Sequence, residues 1–252
     1  MIVMSESPTE RALQLLALLA RAAEPVSARE MADALSLPLS TVYRHLQVLK
    51  KWDWVQEHAR TGLYEPGPMS VQLAHGFDQH SWLMQAARPE LEALSARTGE
   101  SAGLLCYLHG HIVCLDLVES QHALRCSFVK GVARSTIRGA SAKALLAHLP
   151  EALVQPLLAE ALPDTADQPV SAALEQFSAC LQQIRERGYA VSEHEVDQGV
   201  WGVSAPVLLP RAQLIATVSL MAPSQRASHH ITEWIQQTCL AADRIRQRLL
   251  HR

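Results

Sequence analysis

The stretch from Ser27 to Lys51, SAREMADALSLPLSTVYRHLQVLKK, constrains this chain more than any other. Ser27-Ala28-Arg29-Glu30 forms a capping box, in which the serine hydroxyl accepts a backbone N–H of the first turn and the glutamate reaches back. The helix opened there is expected to run to about Leu35. Ser36-Leu37-Pro38 makes a tight turn, and Pro38 stands where a helix starts and its missing N–H costs little. In the next helix Val42, Leu46 and Leu49 fall at i, i+4 and i+7 and face a core. Ser40, Thr41, Tyr43, Arg44 and Gln47 are then left on the outward side. Two helices joined in this way are what a protein needs to lay one of them in the major groove of DNA.

The flanking segments extend the pattern. Thr9 to Ala22 reads as a preceding helix, with Leu13, Leu16, Ala17 and Ala20 as its apolar face. After the helix pair, Trp52 to Gln56 and Leu63 to Glu65 read as two strands joined by the polar tip His58 to Gly62, a hairpin placed as a wing. Arg60, at that tip, is expected over the phosphate backbone or minor groove. Arg44 is the first candidate for reading a base, because an arginine can hold guanine O6 and N7 together. Ser40, Thr41 and Tyr43 suit phosphate oxygens or a thymine methyl. Ser27 and Gln47 join the DNA-facing set, and Lys50 and Lys51 suit phosphates.

Charge gives this reading little help. The chain of 252 residues carries a formal net charge of −3. Between Ser40 and Arg60 the basic residues are Arg44, Lys50, Lys51 and Arg60, set against Asp53 and Glu57. Geometry, rather than a basic coating, has to carry the argument.

Pro66-Gly67-Pro68 closes the first domain, expected over residues 1–67. A linker helix is expected over 68–82, within which Met69 to Gln79 is the regular part. Residues 83–252 form the second domain. There Leu83 to Arg97 reads as a helix, and Leu104 to Leu108 and His111 to Val118 as a hairpin about His109-Gly110. Ser141 to Leu149 reads as a helix and Glu160 to Pro169 as a loop. Leu174, Phe177, Leu181 and Ile184 mark an amphipathic helix closed by Gly188. Val203 to Leu208 and Leu214 to Met221 read as strands, and Ile231 to Leu249 as a long final helix. The fold class is α+β with an antiparallel-rich sheet.

Five cysteines, an odd number with no C-x-x-C spacing, fit reduced thiols in a cytoplasm. No apolar run reaches the ~20 residues of a membrane span, and no leader peptide stands at the N-terminus, so a cytoplasmic protein with no membrane partner is expected. Cys106, His109, His111, Cys114 and Asp116 cluster about one hairpin and offer thiolate and imidazole to zinc. Strand alternation divides them between two faces, so a metal site is the lesser reading, and no cofactor is expected. Ser141-Ala142-Lys143 and the segment Gly202 to Pro206 touch on nucleophile chemistry, but without a serine–histidine–acid order they do not make an enzyme. A winged helix that docks on protein rather than DNA is the other alternative.

Taken together, the segments ERALQLLALL, LPLSTVYRHLQVLKKWDWV, LYEPGPMSVQLA, RGASAKALLAHLP, IRERGYAVSEHEVDQGVWGVSAPV and LIATVSLMAP, in this order, resemble an IclR-type transcriptional regulator over nearly the whole chain. The resemblance implies a winged helix-turn-helix joined by a linker helix to a GAF-like effector-binding domain. It implies a homodimer or homotetramer on pseudo-palindromic operators in double-stranded DNA, and a small organic or aromatic acid from catabolism as effector. Carried over by position, the effector site comprises Ala140, Ser141, Ser192, Gly202, Ser219 and Met221, with Trp201 as a candidate wall. Backbone N–H groups at Ala140 and Ser141 would cradle a carboxylate. Alternation independently puts Ser219 and Met221 on one strand face. Gly202 and Met221 stand where small-acid members of the family carry polar groups, so a bulkier, more apolar effector than glyoxylate or pyruvate is expected.

Overall fold

A computed structural model describes residues 7–126, 128–134, 137–161 and 170–251. The chain divides into two compact units, Met1–Ser81 and Trp82–Arg252.

In the first unit, α1 (Pro8–Arg21) starts from Ser7, whose hydroxyl accepts the Glu10 N–H while the Glu10 carboxylate accepts the Ser7 N–H. The same reciprocal cap, Ser27 with Glu30, opens α2 (Ala28–Ala34). Ser36, at φ 52°, turns the chain, and α3 (Leu39–Lys51) follows with Pro38 as its N-cap. β1 (Val55–Glu57) and β2 (Tyr64–Pro66) pair antiparallel, and Val26 bridges to Tyr64, which ties the start of α2 to the hairpin. Gly67 is required by close approach, since a Cβ there would lie 2.2 Å from the Asp53 carbonyl oxygen. Helix α4 (Met69–His80) ends the unit.

The core of this unit joins Leu15, Leu19, Met31, Val42, Leu46, Leu49, Val55 and Tyr64. Val42, Leu46 and Leu49 face inward as their spacing requires. On α1 the expected face is corrected: Leu15 and Leu19 are buried, whereas Leu13 is 59% exposed. The run LQLLALLA is apolar on two sides, and periodicity alone does not choose between them. The second side lines an apolar groove with Val48, Trp52, Leu73 and Phe77.

The second unit carries a six-stranded sheet among the described residues. Its elements are α5 (Trp82–Thr98), β3 (Ser101–Leu108), β4 (His111–Val118), β5 (Ala133–Arg134), α6 (Ala140–Leu146), α7 (Glu151–Ala161), α8 (Val170–Arg187), β6 (Ala190–Glu193), β7 (Val200–Leu209), β8 (Gln213–Pro223), α9 (Ser224–Ala227) and α10 (Ile231–Leu250). The strand order is β5-β4-β3-β8-β7-β6, antiparallel throughout. Strands β3, β7 and β8 pack against α5 and α10 through Leu91, Leu94, Leu104, Trp201, Val203, Val218, Leu220, Trp234 and Ile245. A separate cluster joins α6, α7, α8 and β6. Helix α7, over residues where the sequence pattern predicts no helix, continues through Pro156. The expected loop at 160–169 lies outside the described residues except for Glu160 and Ala161, which end α7. No described helix is long and apolar enough to cross a membrane.

Candidate nucleic-acid interface and ligand cavity

On α3 the core residues fix which side chains face solvent. Ser40, Arg44 and Gln47 are exposed together, Thr41 is half-buried, and Tyr43 is 47% exposed beside them. Lys50 is also exposed, but its ammonium pairs with Glu57 on β1 and is not a free phosphate ligand in this conformation. Ser27 spends its acceptor oxygen on capping α2 and keeps its O–H to donate. Arg60 stands exposed on the wing tip, where Gly62 takes φ 68° and the turn closes through the Gly62 N–H to the His58 carbonyl. His45, which the helix pattern leaves unassigned, is buried under α3, and burial, then the charges of Arg44 and Arg11, lower its pKa.

In the second unit a cavity of about 310 Å³ opens beside the sheet face that meets α6. Its floor follows from strand register. Ser192, Gly202 and Met221 stand side by side on β6, β7 and β8, and the next row brings Ser204 opposite Ser219. Ala140 and Ser141 line it from the head of α6. Leu105, Ile112, Phe128 and Val196 supply apolar wall, and Arg125, Arg138 and Asp197 supply charge. Arg138 has no ion pair among the described residues, and Arg125 lies 3.7 Å from Glu119.

The hydrogen bonds define what the cavity offers. Ala140 N–H donates to Ser192 Oγ at 2.9 Å, so the serine proton is left to point elsewhere. Gly139 N–H donates to Glu195 Oε2 at 3.1 Å, and Lys143 binds the other oxygen of that carboxylate. The expected carboxylate cradle at the head of α6 is therefore partly taken by internal acceptors. Ser141, Ser204 and Ser219 close a ring of hydroxyls at 2.9, 3.3 and 2.7 Å. Ser219 is 1% exposed and sits behind Ser141 instead of lining the cavity.

Gly202 has neither a positive φ nor a crowded Cβ position. An added Cβ would lie 3.5 Å from the Ser192 hydroxyl and the Leu220 carbonyl oxygen and 3.9 Å from Ala140 Cβ. Glycine here leaves volume. Trp201, one residue earlier, corrects the expectation of a cavity wall: alternation turns it to the other sheet face, where its ring lies 6.0 Å from that of Trp234. Ser204 shares the parity of Gly202 and was legible by the same rule. Arg125, Cys126, Phe128 and Arg138 come from irregular segments that carry no periodic signal.

Two other groupings resolve as structure. Cys106 and Cys114 are buried, and burial pushes their thiols up to about 11 and about 12. No three His, Cys, Asp or Glu side chains among the described residues gather to hold a metal ion. Ser204, the serine of the Gly202 to Pro206 segment, bonds only hydroxyls, and Lys143 is held by Glu195 and the Val191 carbonyl oxygen.

The comparisons with known proteins agree with this division. Residues 8–59 match the model of the IclR helix-turn-helix domain, and residues 78–245 match that of the bacterial transcriptional regulator IclR C-terminal domain. The HTH-type transcriptional regulator XynR of Escherichia coli is 29% identical over 241 residues, covering 93% of this chain and 95% of XynR. An IclR transcriptional regulator from Silicibacter has the same fold, with a TM-score of 0.83 at 21% identity over 96% of both chains. So has an IclR homologue from Microbacterium hydrocarbonoxydans, complexed with 4-hydroxybenzoate, at a TM-score of 0.72 and 20% identity over 98% of this chain and all of that one. With both models matched in order along it, the chain belongs to the IclR family of transcriptional regulators, with a helix-turn-helix DNA-binding domain followed by a C-terminal effector domain, and it is not an enzyme.

Proposed function

We propose that this regulator binds a pseudo-palindromic operator through α3 and is switched by a small organic anion with an apolar body, held in the cavity beside α6. The exposed set of Ser40, Thr41, Arg44 and Gln47 on one face of α3 carries the DNA half of this reading. Arg44 is the base-reading residue; Ser27, Tyr43, Lys50 and Arg60 serve the backbone, Lys50 after exchanging Glu57 for a phosphate. A second copy of the chain supplies the other half-site. Helix α4 buries none of its residues within its own unit, and Leu13, Val48, Trp52, Leu73 and Phe77 leave an apolar groove open between α1, α3 and α4. A 12-residue helix without a packed face is marginal in water, and a paired copy covers it. In this reading 68–82 is the connection that passes the effector's choice to the winged domain, and a coupling of ~1–3 kcal/mol is enough for a switch. The protein then works in the cytoplasm, beside its DNA.

Selection of sheared genomic DNA by the purified protein tests this half. A pseudo-palindrome should be enriched, whereas Arg44→Ala should bind with its preference relaxed at one position per half-site, a loss of ~1–3 kcal/mol there. Enrichment of single half-sites would remove the pairing, and an unchanged preference in Arg44→Ala would remove its role.

For the effector, the open floor at Gly202 is the supporting observation. It lies between Ser192 and Met221, beneath the hydroxyl of Ser192 and beside Arg125 and Arg138. The Ser192 proton and the guanidinium groups favour an anion, while the apolar wall and the space over Gly202 favour a ring over a two- or three-carbon acid. The 4-hydroxybenzoate of the Microbacterium homologue is of this class. Calorimetric titration should show saturable binding of benzoate-sized aromatic acids and none of pyruvate; tight pyruvate binding with no aromatic acid bound would reverse the assignment.

A further inference from the structure

Outside the recognition helix, Arg11 is a half-buried cation among the described residues with no role assigned above. Arg11 stands in the first turn of α1, and α1 packs directly on α3. Its Nε is sealed from solvent and meets no acceptor. His45, on the α3 side of the same seam, is 6% exposed, and its Nε2 has no hydrogen-bond partner either. The carboxylate next to Arg11 in sequence, Glu10, is committed to the Ser7 N–H. Among the described residues neither Arg11 nor Arg44 has a carboxylate within ion-pair distance. Arg88, Arg226, Arg246 and Arg248 each hold one.

The perturbation of His45 supports the same geometry. After burial, its proton affinity is lowered by the positive charges of Arg44 and Arg11, so both guanidinium groups lie within electrostatic reach of one ring. The seam thus gathers two unneutralised arginines about a buried imidazole, in a chain whose net charge is −3. Leaving a guanidinium partly buried without a counter-charge is costly, and such a site is completed by an anion that arrives from outside. The anion that α3 brings to this place is the phosphate backbone of its own operator.

We propose that Arg11 is a DNA-phosphate contact, seated at the seam of α1 and α3. This rests on the reading of α3 as the groove-entering helix. Arg11 adds affinity without adding sequence preference, because a phosphate carries no base identity. It also ties α1 to the duplex, so the seam closes when DNA is bound.

The test is the salt dependence of binding by the full-length protein to a duplex of random sequence and to its selected operator, between about 50 and 200 mM salt. Arg11→Ala should lower the slope of log K against log salt by about 0.9 for each copy of the winged unit on the duplex. That amounts to about an eightfold loss per copy at ~0.1 M salt relative to 1 M, and about sixtyfold for a bound pair, the same for both duplexes at equal numbers of bound copies. Arg11→Lys keeps the charge and should keep most of the slope. An unchanged slope in a folded Arg11→Ala protein would overturn the proposal. So would equal losses in the Lys and Ala variants accompanied by a fall in thermal stability, which would make Arg11 a structural residue. Failure of the wild-type protein to bind either duplex would instead overturn the DNA reading on which this rests.

Discussion

Trp201→Ala is expected to destabilise the C-terminal domain by about 3–5 kcal/mol. The side chain is 1% exposed and among the largest fully buried in the chain. It fills the layer between β7 and α10, tilted at 53° against Trp234, on which His230 stacks in turn at 5.2 Å. Truncation loses the transfer free energy of an indole and leaves a void that a sheet on one side and a 20-residue helix on the other cannot collapse to fill. In a unit of this size such a loss lowers the unfolding midpoint by on the order of 10 °C, read by circular dichroism. Trp201→Phe should recover much of it, since an aromatic ring remains against Trp234. The ligand cavity lies on the other face of the sheet, so the folded Ala variant should keep its aromatic-acid selectivity. Unchanged stability together with altered selectivity would return Trp201 to the cavity wall.

This residue also shows how far the sequence was legible. Alternation places Ser219 and Met221 on one face of β8, and the structure keeps that parity. The same rule on β7 separates Trp201 from Gly202 and adds Ser204, so the sequence itself carries the signal that turns Trp201 away from the cavity. On α3, core spacing and the capping box located the exposed face, because a helix with one apolar stripe has one way to pack. Helix α1 has two apolar sides, and its inward one was decided by tertiary packing. Buried His45 is a polar residue adjoining an apolar stripe, which a hydrophobic pattern passes over. Arg125, Cys126 and Phe128 of the cavity wall lie outside the helices and strands, held by side-chain contacts rather than by repeating structure, and sequence periodicity has nothing to say about them.

Those contacts yield the other large effect: Arg226→Ala should cost about 3–5 kcal/mol, the range for leaving a buried charge without its partner. Glu100, 1% exposed at the head of β3, is held by Arg226 through both carboxylate oxygens, with Nη2 at 2.9 Å from Oε2. The partners are not equivalent. Arg226 keeps 32% of its side chain in solvent and can be rehydrated if Glu100 is removed, whereas Glu100 is 1% exposed and depends on water entering the space the guanidinium leaves if Arg226 is removed. Glu100→Gln should therefore be the milder change, and Glu100→Met combined with Arg226→Met should recover much of the loss, since neither charge is then buried. Arg226 has a second task, because its Nη2 also donates to the Leu124 carbonyl oxygen at 3.0 Å, immediately before Arg125 and Cys126 in the cavity wall. The double variant should thus regain stability in denaturant unfolding and still bind aromatic acids more weakly than the wild type, since the Leu124 carbonyl oxygen then loses its guanidinium donor. If it regains both, the Leu124 contact does not shape the cavity; if it regains neither, the charge pair is not the source of the loss. Separating the two readouts decides whether this ion pair only holds the fold or also sets the width of the effector site.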